Sequence, residues 1–193
     1  MKRLWNLPML LLAGVFVTAS AAAFDAVSVR PQAGVAGQAA VRVMFTPGED
    51  AAGEIIRAIG AAQRQVLVQA YSFTHDEIAG ALVEAHRRGI EVKVLADRVQ
   101  TEKMQRGQVP GLARAGLPVW LDGAHQGAHN KVMVIDAGTR QSLIITGSYN
   151  FTRAAQHKNA ENVVFISGND ALAEAYASNW QAHLQHAKPL TLH

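Results

Sequence analysis

The sequence predicts an α/β fold: a mixed, largely parallel β-sheet flanked by helices, in the manner of an α-β-α sandwich. Three observations lead there. Short β-branched runs alternate with stretches whose apolar residues recur at helical spacing, a repeated βα pattern that favours parallel pairing. Hydrophobic residues make up 49% of the 193 and charged ones 17%, which suits one domain with a real core and argues against disorder. No cysteine occurs, which excludes disulfides and a lipid-modified cysteine anchor.

Taken in order, MKRLWNLPMLLLAGVFVTASAAA (1–23) carries two basic residues, an apolar run from about Leu7 to Val17 and a small-residue end. These are the parts of a secretory signal, and the apolar run is short for a membrane span. The expected location is periplasmic or secreted, with no stable span after removal. Residues 24–40, rich in Ala and Gly, read as a linker, and 41–188 as the folded domain. VRVMF (41–45) reads as a strand, and 49–63 as a helix on the spacing of Ile55, Ile56 and Ile59. QVLVQAYSF (65–73) is a strand; Thr74 and Glu77 form a capping-box signature for a helix that Gly89 ends. Then come a strand at 90–97, a helix to about Ala115 and a strand at 117–122. The second half reads as a hairpin of KVMVID (131–136) and SLIITGS (142–148), a short helix near 152–158 and a strand at 161–167. A last helix near 170–186 has Leu172, Tyr176, Trp180 and Leu184 on one face.

The charge excludes little. The formal net of +3 falls to +1 without Lys2 and Arg3, leaving 16 basic against 15 acidic residues, so any attraction to phosphate must be local. The informative stretch is HNKVMVID from 129, followed by GSYNFT from 147. Residues two apart on a strand share a face, so His129 and Lys131 point one way, and Ser148 and Asn150 do the same at the end of the neighbouring strand. Four polar side chains then meet at one rim beside an apolar run. Burying them is costly without partners, so either they satisfy one another or they meet a ligand. Singly, each is most simply a hydrogen-bonded core residue or a helix cap. The combination H-x-K-x4-D then G-S-x-N makes chance remote.

This pattern resembles the HKD motif of the phospholipase D superfamily, with His129, Lys131 and Asp136, then Gly147, Ser148 and Asn150. KNAENVVFI and VQAYSFTHDEIAGALVEAHRRGIEVKVLAD resemble its small single-motif bacterial endonucleases, and the likeness covers about 41–185. Ten residues separate Asp136 from Gly147, a longer gap than the family's usual one; an even extension at the hairpin tip keeps register. The resemblance implies a phosphodiesterase in which His129 attacks phosphorus and becomes a phosphohistidine. It implies that Glu161 holds the other ring nitrogen, that Lys131 and Asn150 hold the non-bridging oxygens, and that Ser148 assists them. Asp136, seven residues from His129, falls on the opposite strand face and is expected to support structure by pairing with backbone or a basic group, with Gly147 supporting too.

The leaving oxygen needs a second histidine, and one chain holds one motif, so a two-fold homodimer with a shared site is expected. His125, in the Gly-rich loop GAHQGAH, is expected to line the entrance and His157 to lie on a helix surface. No cofactor and no metal is expected, since Lys131 within the cluster would repel a cation. Nucleic acid is the expected substrate, with Arg98, Lys103, Arg106, Arg114, Arg153 and Lys158 as backbone contacts. Phospholipid cleavage to phosphatidic acid is the alternative, and a non-catalytic phosphate-binding envelope protein a third reading.

Overall fold

The computed structural model describes residues 39–192; the signal-like stretch and nearly all of the linker lie outside them. An eight-stranded sheet runs through the domain. Its strands are β1 (Ala40–Thr46), β2 (Gln65–Ala70), β3 (Glu91–Asp97), β4 (Val119–Asp122), β5 (Lys131–Ile135), β6 (Leu143–Gly147), β7 (Glu161–Ser167) and β8 (Lys188–Pro189). They lie in the order β1-β7-β6-β5-β2-β3-β4-β8. Helices α1 (Ala51–Ala61), α2 (Asp76–Arg87), α3 (Arg98–Lys103), α4 (Val109–Arg114), α5 (Arg153–His157) and α6 (Asp170–Leu184) connect or follow them.

Strand parity sorts the core into two layers. Val66, Val68, Val92, Val94, Met133, Ile135 and Ile145 pack with Ile55 and Ile59 of α1 and Ile78 and Leu82 of α2. The alternate residues Leu67, Leu95, Val132, Val134 and Ile144 face α6, whose Trp180 is fully buried. Trp180 Nε1 donates to the Val68 carbonyl at 2.9 Å and its ring meets Trp120 edge-on at 6.1 Å, which locks α6 to the sheet.

The mixed sheet between helices is as expected, but the share of parallel pairing is not. Only β2–β3 and β3–β4 pair in parallel; the other five strand pairs are antiparallel. Periodicity reports each element's type and not its neighbour. Here β1 crosses to the far edge to pair with β7, and β5 folds back against β2. Two local readings also change. Thr74 does not cap α2: the N-cap is His75 without a side-chain bond, and the amides of Thr74 and His75 both donate to the Phe151 carbonyl at 2.9 and 3.0 Å. The helix expected from 98 to 115 is two helices, with Pro110 in the first turn of α4.

Asp136 ends β5 at φ 52°, a left-handed conformation that Asp tolerates better than most residues. Its carboxylate accepts from the amides of Gln63 (2.8 Å), Arg64 (2.7 Å) and Gln65 (2.9 Å), stapling the entry of β2 to the exit of β5. It lies about 17 Å along the strand from Lys131, at five residues' rise, which agrees with a structural role. Asp136→Ala should therefore destabilise the domain by about 3 kcal/mol, read from the denaturant midpoint, while the folded fraction keeps its activity. A large loss of activity at unchanged stability would contradict the staple.

Candidate active site

Apart from Asp136, the motif residues gather where β5 and β7 begin and β6 and β2 end. Lys131 opens β5 opposite Ala70, and the ladder continues outward as the Tyr71 amide donates to the Asn130 carbonyl at 3.0 Å. This continuation fixes His129 over Tyr71: the ring centroids lie 4.2 Å apart, inclined by 50°. Lys131 is 7% exposed. Its ammonium sits 2.9 Å from His129 Nδ1, donates to the His129 carbonyl at 2.6 Å and rests 4.6 Å from the Tyr71 ring centre.

Burial pushes the Lys131 pKa down to about 8, with the negative charge of Glu161 pulling it the other way. The contact also fixes a tautomer. A protonated Lys131 can only donate, so Nδ1 accepts and the ring proton resides on Nε2.

On the neighbouring strand, Gly147 has φ 143°, and a Cβ there would stand 2.3 Å from the Asn162 carbonyl. Only glycine permits that close approach of β6 to β7. It delivers Ser148, whose hydroxyl donates to Glu161 Oε2 at 2.5 Å and accepts from the Asn162 amide at 3.1 Å. Asn159 Nδ2 donates to the other Glu161 oxygen at 3.0 Å. Tyr149 turns into the core, so Ser148 and Asn150 keep the shared direction that their spacing predicts. Asn150 makes no side-chain hydrogen bond among the described residues, and its Oδ1 is buried without a partner.

The expected contact of Glu161 with His129 is not made within the chain. β6 stands between β7 and β5, so the carboxylate reaches Ser148 and Asn159, while Lys131 and Tyr71 hold the imidazole. Arg153 is not a free phosphate contact either, because Asp76 (2.7 Å) and Glu77 (3.3 Å) engage it. His157 is exposed at the end of α5, as expected. His125 turns toward Asp122, at 3.4 Å.

Two supports were not evident from the sequence motifs. Tyr71, the floor beneath His129, receives a hydrogen bond on its hydroxyl from Gln100 at 2.9 Å. Buried Asp97 accepts from the amides of Gln100 (2.7 Å) and Ala128 (2.8 Å), which ties the loop before His129 to α3. The placement of Tyr71 and Asp97 at the ends of adjacent strands was the available signal, since loops at strand ends carry sites.

The family model described as cardiolipin synthase, PLD-like domain, matches residues 55–184. A phospholipase D of Rickettsia felis is 39% identical over 140 residues, covering 72% of this chain and 67% of that protein. A mitochondrial cardiolipin hydrolase of Chlamydomonas reinhardtii is 30% identical over 115 residues, 60% of this chain and about half (49%) of its own length. Among solved structures, the phospholipase D family member Nuc from Salmonella typhimurium superposes with a TM-score of 0.72 at 31% identity, covering 80% of this chain and 100% of that one. NucT from Helicobacter pylori has a TM-score of 0.71 at 22% identity, over 79% and 100%, a likeness of fold.

The buried ammonium has a pH consequence. The unfolded chain keeps the Lys131 proton to about 10.5 and the folded chain releases it at about 8. Between those values the unfolded state binds more protons, so stability rises with pH in that window, whereas the charge available to an anion is lost. kcat/KM should thus fall as pH rises through about 8, and Lys131→Arg should move that limb beyond the measurable range at reduced overall rate. An unchanged limb in the Arg variant would assign it to another group.

Proposed function

The chain belongs to the phospholipase D superfamily and is a phosphodiester hydrolase; on that premise we propose that it acts without a metal, through a phosphohistidine on His129, on nucleic acid. The observation that carries this reading is the lodging of the Lys131 ammonium on His129 Nδ1, with an Asn150 side chain that makes no hydrogen bond among the described residues. In the resting site the lysine caps the nucleophile. An arriving phosphodiester offers its oxygens to Lys131 and Asn150 and draws the ammonium off the ring. Nδ1 then carries the ring proton, and Nε2 attacks phosphorus as the bond to the leaving oxygen breaks. Ser148, fixed by Glu161, donates to the same oxygens. Water displaces His129 from phosphorus in the second step.

Nucleic acid is favoured because Arg98, Lys103, Arg106, Arg114 and Lys158 form no ion pair among the described residues, which leaves them for backbone phosphates. Likeness to Nuc over the whole of that chain supports the same choice. Phospholipid is the second reading, favoured by the names of the Rickettsia phospholipase D and the cardiolipin hydrolases. With His129, Lys131, Ser148, Asn150 and Glu161 all present, the non-catalytic phosphate-binding reading has no support. No helix among the described residues is long and apolar enough to cross a membrane, and the signal-like stretch 1–23 supports a periplasmic or secreted enzyme.

One chain supplies one such histidine, so the proton for the leaving oxygen comes from a second copy across a two-fold axis. An exposed apolar strip supports this assembly: Val41, Val43 and Phe45 of edge strand β1 are 65%, 45% and 58% exposed. Register sets Phe45 opposite Asn162 and Thr46 opposite Glu161, so the strip ends at the site.

In EDTA, the protein should degrade plasmid DNA and RNA and leave phosphatidylcholine intact, with His129→Ala slower by about four orders of magnitude or more. Choline release alone would select the second reading; undiminished turnover by His129→Ala would remove the phosphohistidine. Val43→Asp with Phe45→Asp should elute as a folded monomer and lose activity. A fully active monomer would reject the shared site.

A further inference from the structure

Three strands from His129, about 14 Å along the same sheet edge at ordinary strand spacing, four metal-ligating side chains converge. Asp122 ends β4, His125 follows it, and His183 and His186 lie at the end of α6. His183 Nδ1 is 2.7 Å from Asp122 Oδ2, His186 Nε2 is 3.2 Å from the same oxygen, and His125 Nδ1 is 3.4 Å from Oδ1. The three rings form a near-equilateral triangle with centroids 5.1, 5.1 and 5.3 Å apart. One ligand atom from each of the four residues falls within 4.8 Å of all the others. No metal was expected here, and 61 positions separate Asp122 from His183, so no short motif announces the grouping.

We infer that Asp122, His125, His183 and His186 bind one divalent transition-metal ion of zinc's class. Four donors at about 2.0–2.1 Å from a tetrahedral ion stand about 3.3 Å apart, and the distances from Asp122 to the three imidazoles already bracket that edge. Imidazole nitrogen with one carboxylate oxygen suits zinc and excludes calcium or magnesium, which take oxygen cages. Exposure rises outward from the Asp122 side chain at 3%, through His183 at 17% and His186 at 36%, to His125 at 49%, which provides a route in.

Bound ion would join three pieces of chain that otherwise meet through hydrogen bonds: the end of β4, the loop 123–130 that leads to His129, and the α6–β8 turn. The four ligands fill a tetrahedral shell, so the ion is structural and takes no part in phosphodiester chemistry. The inference stands independently of the proposed reaction.

The test uses tag-free full-length chain, dialysed against EDTA and freed of it. Zn2+ titrated by calorimetry should bind at one per chain and raise Tm, and Co2+ should give the intense visible absorption of a four-coordinate site. His125→Ala with His186→Ala should weaken binding by more than the roughly 10–100-fold that losing an outer-shell partner costs. That variant should cleave substrate in EDTA as the chelated wild type does, and His129→Ala should bind Zn2+ normally. Absence of saturable binding, or binding that the double substitution leaves intact, would overturn the inference.

Discussion

Lys131 carries its charge at the mouth of β5, nearly shut off from water, with a carbonyl, an imidazole nitrogen and an aromatic face as its surroundings. No carboxylate neutralises it by direct contact among the described residues. Such a cation is tolerable only if its shell is rigid, and the rigidity comes from the strand's two neighbours. β2 supplies Tyr71 through the extended ladder, and β6 supplies the wall that ends in Gly147. Both faces of β5 are filled, by Met133 and Ile135 on one side and Val132 and Val134 on the other, so the strand cannot slide to relieve the strain of the charge.

The sheet thus divides its labour by edge. At one end of β5, Asp136 satisfies three backbone amides and closes the fold. At the other, polar groups are left short of partners: an ammonium on a ring nitrogen, an Asn150 oxygen with none. Unsatisfied polar groups cost stability; of these two, the Lys131 ammonium is a donor that an anion would satisfy, and the Asn150 oxygen an acceptor that needs a hydroxyl or N–H. The motif's aspartate and its histidine and lysine are therefore separated by function as well as by distance.

Much of this was legible in the residues. The H-x-K and S-x-N spacings fixed the shared rim because strand periodicity is local, and the seven-residue offset of Asp136 separated it from the site for the same reason. What was hidden is what depends on strand order. That β6 would stand between Glu161 and His129, that Arg153 would be drawn to Asp76, and that Asp122 would meet His183 all follow from pairings between distant segments. The Thr74 signature failed because a tertiary acceptor, the Phe151 carbonyl, captured the Thr74 amide that Glu77 would have satisfied in a capping box.

The pairing of Ala40 with Ser167 also has a bearing on the order of assembly. Among the described residues, the first strand finds its lateral neighbour in the last long one, so during synthesis it emerges well before the strand it pairs with. Topologies dominated by such distant pairings acquire structure slowly. A chain of this design can complete its sheet only after the segment carrying Glu161–Ser167 has left the ribosome.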